Sequence, residues 1–246
     1  MSRQLRFAIA ALATVVFFLA TPGAQAQVVY QVENLPPASG GYEIFNNSQG
    51  TETEDCWVAN SFTAVNGGTR LQSISFLLGS ALTSQMVTAT IYSGSSLTNP
   101  NAGGGLVRVV SSTNTVSVTG AAGTFQTIPL LNAVDYTTGQ IFYAAILIRG
   151  VPGTLFPFAS DAMETPAVTP LGRSFFDVGP TQGAPYNLDV TTNATVMGGT
   201  HPVVDGAQDP GNAGIRVNAV VPEPSSMFLG AMGVGLFIRQ WRRKRA

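Results

Sequence analysis

The 246-residue chain holds 12 Lys and Arg against 13 Asp and Glu, a single His and a single Cys, and only 10% of it is charged. The near-neutral total hides a division: residues 27–221 carry five arginines, no lysine and twelve carboxylates, a net charge of −7, while the remaining bases sit at the two ends. Such an acidic body argues against nucleic acid or anionic lipid as partners, because phosphate binding needs clustered Lys and Arg, and one cysteine rules out an intramolecular disulfide.

At the start of the chain, Arg3 and Arg6 precede an apolar run over 7–20. A Pro22-Gly23 break follows, then the small-residue site Ala24-Gln25-Ala26 ahead of Gln27. This layout predicts a secretory signal peptide over 1–26, cut after Ala26, so the secretion translocon and signal peptidase are the first expected partners.

The body is rich in Gly, Thr, Ser, Val and Asn, with apolar residues in short runs between turn signals, which is the pattern of an all-β domain. Strands are predicted over 28–33, 57–64, 70–78, 86–93, 106–110, 114–118, 124–130, 141–149, 156–159, 174–178 and 215–220. The breaks fall at Asn66-Gly67-Gly68, Asn99-Pro100-Asn101, Gly103-Gly104-Gly105, Thr119-Gly120, Thr138-Gly139 and 150–153, where Gly, Asn and Pro supply turn geometry. Residues 71–78 and 141–148 are apolar at most positions and read as central strands. Residues 181–212 read as loop-rich, with one short strand near 194–197. The fold class expected is therefore all-β: a single antiparallel β-sandwich, jelly-roll-like, over 27–220, with an N-terminal signal helix and a C-terminal transmembrane helix.

Chemistry within the body is sparse. His201, in the loop-rich stretch, has only Asp205 and Asp209 near it in sequence, fewer ligands than a zinc site requires, and reads as a surface histidine. No G-x-S-x-G elbow is present for a serine hydrolase. Cys56 reads as a small buried hydrophobe ahead of Trp57. Glu52, Glu54 and Asp55 offer hard oxygens that could hold calcium, yet without an EF-hand loop they read first as a solvated loop. No cofactor is expected beyond that weighed calcium. Trp57, Tyr92, Tyr136, Tyr143, Phe156, Phe158, Phe175, Phe176 and Tyr186 could line a sugar-binding face, but most lie in strand-like runs and read as core.

The last stretch has three parts: a rigid Val221-Pro222-Glu223-Pro224 hinge, an apolar run over 227–238, and a basic tail of Arg239, Arg242, Arg243, Lys244 and Arg245. The prolines hold off helix before the hinge and permit one to start after it, capped by Ser225 or Ser226. Over 225–238 such a helix rises roughly 21 Å against a hydrocarbon core of about 30 Å, so snorkelling by Arg239 and local thinning must complete the span. The positive tail belongs on the cytoplasmic side of the inner membrane.

Hinge, short membrane segment and Arg-rich end, in that order, resemble the PEP-CTERM sorting signal of Gram-negative bacteria. The resemblance implies that a membrane transpeptidase of the exosortase type cuts near Pro222-Glu223-Pro224, making the chain a substrate. The blocks at 57–63, 71–76, 90–93 and 141–146 are similar to bacterial extracellular choice-of-anchor β-sandwich domains, which implies a sandwich and a cell-surface setting. The expectation is an exported protein, anchored in transit and delivered to the cell surface or exopolysaccharide matrix, with a non-catalytic structural or adhesive body. The alternatives are a carbohydrate-binding module, with or without calcium, and, behind it, an extracellular hydrolase.

Overall fold

The computed structural model describes residues 27–33, 53–152, 158–159, 171–178, 186–189, 195–196 and 212–220. Gln27–Val220 form one compact unit. The expected signal and membrane helices fall on 1–26 and 221–246, outside the described residues; among the described residues no helix is long and apolar enough to cross a membrane.

Eleven strands are described: β1 (Gln27–Tyr30), β2 (Thr53–Thr63), β3 (Arg70–Leu77), β4 (Leu82–Gly94), β5 (Val107–Arg108), β6 (Asn114–Gly120), β7 (Phe125–Asp135), β8 (Ile141–Pro152), β9 (Ser174–Val178), β10 (Thr195–Val196) and β11 (Ile215–Val220). Every pairing is antiparallel. One sheet runs β1-β11-β3-β7; the other runs β10-β9-β2-β8-β4-β5, with β6 also on β4. Setting aside β5, β9 and β10, the first sheet takes the first, eighth, third and sixth strands and the second takes the second, seventh, fourth and fifth. That is the order of a jelly roll, the sandwich the composition predicted.

The core lies between the sheets and follows from period-2 alternation. Val87, Ala89 and Ile91 of β4 and Phe142, Ala144, Ile146 and Ile148 of β8 meet Ile74 and Phe76 of β3 and Ile215, Val217 and Ala219 of β11, all buried. The two runs read as central strands are central: β3 lies between β11 and β7, and β8 between β2 and β4. Asn60 of β2 joins the sheets through polar contacts. Its Nδ2 donates to the carbonyls of Ala213 (2.9 Å) and Ile215 (3.1 Å), and its Oδ1 accepts from Ser174 Oγ at 2.7 Å.

Four expected boundaries are corrected. β2 starts at Thr53 rather than 57, because the acidic residues read as loop pair with the end of β8 across an irregularity between Glu54 and Cys56. The strand expected over 106–110 shrinks to Val107–Arg108, and a 3-10 turn (Val110–Ser112) follows. There Ser112 Oγ donates to the Val109 carbonyl and accepts from the Ile91 amide, bending the chain away from the ladder. Of the strand expected over 156–159, the described residues show only an isolated bridge at Phe158. β4 also begins earlier than expected, at Leu82. An irregularity with β6 lies between Leu82 and Gln85, where Ser84 takes φ 52° and its amide donates to Thr119 Oγ1.

Candidate functional site

Two regions stand out: the β1–β11 pair that holds the first and last described residues, and the outer face of the larger sheet. At the edge, Gln27 pairs with Val220, Val28 with Ala219, Val29 with Asn218 and Tyr30 with Val217. Gln27 is thus both the residue that follows the expected signal cut and the first residue of β1. Val220, the last residue of β11, immediately precedes the Val221-Pro222-Glu223-Pro224 hinge. Gln27 Nε2 donates to Asn218 Oδ1 at 3.0 Å, and Asn218 Nδ2 donates to Ser73 and Ser75 Oγ at 3.0 and 3.1 Å. At the far end of β1 the Tyr30 hydroxyl donates to the Gly68 carbonyl (2.7 Å) and accepts from the Val65 amide (2.9 Å). A Cβ on Gly68 would stand 2.8 Å from that hydroxyl, so the turn needs glycine there. Burial raises the Tyr30 pKa.

Just beyond β1, Glu33 is wholly buried and paired with Arg216, whose guanidinium carbon stands 4.0 Å above the Phe125 ring. Burial raises the Glu33 pKa against the opposing pull of Arg216, and Oε2 has no partner among the described residues.

On the larger sheet's outer face, Trp57, Ala59, Tyr92, Tyr143, Ala145, Leu147 and Phe175 form a second buried cluster, covered by Tyr186 and Leu188 from residues 186–189. This segment is clasped from several sides. Tyr186 stacks on Trp57, its ring 6.3 Å away and tilted by 14°. The Tyr186 amide donates to Asp55 Oδ2 at 2.9 Å, and the Tyr92 hydroxyl donates to the Leu188 carbonyl at 2.9 Å. Arg108 Nη2 donates to Asp189 Oδ2 at 2.9 Å; its Nε stands 2.8 Å from Oδ1, within ion-pair range but out of hydrogen-bond alignment. Burial drives the Tyr92 pKa well up. The Trp57 indole opposes that rise, although its Nε1 N–H makes no aligned hydrogen bond. The Tyr143 hydroxyl donates to the Ser96 carbonyl and is pushed up to about 12 by burial, with Arg173 opposing.

The expected site residues separate on this frame. Asp55 is an anchor: its oxygens accept from Arg149 Nη1, the Gly150 amide and the Tyr186 amide, each at 2.9 Å. A carboxylate engaged by an arginine and two amides does not fit a calcium ligand, which should direct free oxygens at the cation. Glu54 pairs with Val151 in the ladder; Glu52 and the Glu54 side chain lie outside the described residues, and no group of three metal ligands occurs among them. Cys56 is buried facing the inter-sheet core. None of the described aromatic rings is exposed: Trp57, Tyr92, Tyr143, Phe158, Phe175 and Tyr186 are buried, and Tyr136 and Phe176 are partly so. Phe175 and Phe176 serve opposite faces, as extended neighbours must. His201, Asp205, Asp209, Phe156, Ala24, Ala26, Val221, Pro222, Glu223, Pro224, Arg239, Arg242, Arg243, Lys244 and Arg245 lie outside the described residues.

Sequence reasoning missed Asn60 and Ser174, the polar contacts between the sheets, and the clasp at 186–189. An asparagine inside the apolar run of β2 was the one available signal.

Comparison with known families decides the question of the tail. Residues 220–244 match the model of the PEP-CTERM protein-sorting motif. The chain carries a PEP-CTERM sorting signal. The signal marks an exosortase-sorted extracellular protein, anchored in the membrane in transit, and exosortase is the membrane enzyme that processes it. The β fold above is what the PEP-CTERM tail delivers. The match touches the body only at its last residue, Val220, so the body's likeness to choice-of-anchor domains stays an expectation. No curated protein matches the chain. Among solved structures, it is similar to one containing the cysteine protease and lectin-like domains of Cwp84, a surface layer associated protein of Clostridium difficile, at 14% identity and a TM-score of 0.38. The alignment covers 68% of this chain and 32% of that one, so the chain spans about a third of that structure's length.

Proposed function

We propose that the body is a non-catalytic structural component of the cell surface or exopolysaccharide matrix, delivered there by its PEP-CTERM tail. The observation that carries this reading is the use made of the aromatic and charged side chains. The described rings that could have formed a sugar platform are packed into two cores. Asp55, Asp135, Asp189 and Glu33 each hold an arginine, and two of these pairs brace the clasp over the larger sheet. Side chains so engaged stiffen a sandwich; a binding platform or an acid–base pair would need them free. The buried rings likewise weigh against the carbohydrate-binding alternative.

The test is intact mass of the protein recovered from the surface fraction of its host, beside binding of the purified body to the host's own exopolysaccharide and a screen for hydrolase activity. The reading expects a C-terminus near Pro224, with Pro222-Glu223-Pro224→Ala-Ala-Ala leaving the tail uncut. Hydrolysis abolished by His201→Ala would overturn the non-catalytic assignment.

A further inference from the structure

An unpaired sheet edge is a template for another strand, and proteins guard it with short strands, prolines, bulges or charges. Among the described residues the two sheets end in four edges, and three are guarded. β1 has four residues and β10 two. β7 carries Pro129 and leaves its ladder with β3 at an irregularity. The fourth edge has none of these devices. β5 and β6 lie end to end on the side of β4 away from β8, and among the described residues no strand pairs with β6 on its far side. β6 runs for seven residues, Asn114–Gly120, without a charge or a proline. The irregularity it shares with β4 puts the extra residue in β4, so β6 itself carries no bulge. Between Arg70 and Asp135 the sequence holds one charged residue, Arg108, which is paired with Asp189. The net −7 of the body therefore arises elsewhere, and two copies can bring this edge together without setting like charges against each other.

The sequence of β6 is also its own complement. Thr115-Val116-Ser117-Val118-Thr119 reads the same in both directions. An identical antiparallel strand centred on Ser117 sets Thr115 opposite Thr119, Val116 opposite Val118 and Ser117 opposite Ser117. Thr115, Ser117 and Thr119 are exposed on the outer face, while Val118 is buried and Val116 packs against the core between the sheets. Such a pairing continues both layers. Valine meets valine beneath, and hydroxyl meets hydroxyl above, as Thr88 already meets Thr115 and Thr90 meets Thr113, each at 2.8 Å, within one chain. Apolar side chains flank the same edge: Met86, in register with Ser117, is 46% exposed, and Val107 and Val110 are 67% and 63% exposed.

We propose that β6 is a homodimerisation edge: the β6 strands of two copies pair antiparallel about Ser117, and the larger sheet continues from one body into the other. A two-fold pairing uses both unpaired edges at once, so it closes at two copies and does not run on into a fibre. This partner is additional to the matrix reading and does not depend on it.

The test uses the full chain expressed in its host. Ser117→Cys should give a dimer when cells are treated with a short thiol-reactive cross-linker. Thr115→Cys alone should not, because each new sulfur would stand about 14 Å along the strand from its counterpart. Thr115→Cys and Thr119→Cys expressed together should cross-link again. Cys56 is buried and stays out of reach of the reagent. Purified in mild detergent, the wild-type chain should sediment as a dimer. Ser117→Lys, which sets two ammonium groups face to face on the axis, should raise the dissociation constant at least about tenfold while the body keeps its resistance to added protease.

Cross-linking through Thr115→Cys as strong as through Ser117→Cys would overturn the pairing, as would a dimer that Ser117→Lys leaves intact. A wild-type chain that sediments as a monomer would do the same. A Ser117→Cys product joined to a different protein would make another strand donor the occupant of the edge and would overturn the second copy in that role.

Discussion

The middle of the larger sheet is buried on both faces, and the smaller sheet keeps a polar outer face. In β8 consecutive side chains serve different cores: Phe142, Ala144, Ile146 and Ile148 face the smaller sheet, while Tyr143, Ala145 and Leu147 lie under the clasp. β11 alternates instead, with Ile215, Val217 and Ala219 inward and Arg216 and Asn218 outward in a polar row that continues through Ser73 and Ser75 to Thr127. A continuous apolar run thus marks a strand with two covers, and alternation marks one with a single cover. The clasp at 186–189 supplies the second cover.

The sharpest way to break this comparison is to truncate neighbours. Phe142→Ala and Tyr143→Ala should each cost about 3–5 kcal/mol, because both are wholly buried on opposite faces of one strand. In β7 the same pair of changes should diverge: Leu130→Ala, buried, about 2–5 kcal/mol, and Leu131→Ala, 64% exposed, within about 0.5 kcal/mol. Urea unfolding of the 27–220 body measures all four. Equal costs at 130 and 131, or unequal ones at 142 and 143, would contradict the assignment of covers.

The ion pairs offer a second contrast. Glu33→Ala should cost about 3–5 kcal/mol, since it removes one partner of a largely buried ion pair. Asp135→Ala, breaking a pair whose side chains are 45% and 64% exposed, should cost about 0–1 kcal/mol. Because burial raises the Glu33 pKa, the folded body holds that proton more tightly than the unfolded chain does. The resulting stability is complete below about pH 4.3 and is lost as pH rises through the folded value. Glu33→Gln should flatten that slope in denaturation curves taken across the acid range.

Between the sheets, Asn60→Ala should cost about 1–3 kcal/mol by leaving the carbonyls of Ala213 and Ile215 and the Ser174 hydroxyl short of a partner. A double change with Ser174→Ala should cost less than the sum, as one network implies.

The last contrast lies at high pH. Burial raises the Tyr92 and Tyr143 pKa values, the latter to about 12, so above about pH 10 the unfolded chain releases protons that the folded body keeps. Stability should fall as pH climbs past that point, and Tyr143→Phe should make the fall shallower. An unchanged slope would mean that Tyr143 ionises as freely folded as unfolded.

Most of this architecture was legible in the chain. The strands over 174–178 and 215–220 were predicted to the residue, and both central strands were recognised, because apolar runs bounded by Gly, Asn and Pro are local signals. What stayed hidden was non-local. Nothing near Glu54 and Asp55 says that β8 reaches them, so strand was read as loop. Tyr186 and Leu188 cover the larger sheet through partners 131 and 96 residues away, a separation that periodicity does not register. The sorting tail was readable because an enzyme recognises it as a short linear stretch, which needs no fold to bring it together.

The position of β11 has a mechanical consequence. A protein tethered through its C-terminal side feels any pull first at Val220, the end of a strand hydrogen-bonded to β1 on one side and β3 on the other. A pull directed along β11 would shear two ladders at once instead of peeling one open from its end, so the bonds of both would bear the load together. A tether leaving from an edge strand would unzip pair by pair; this one grips from inside the sheet.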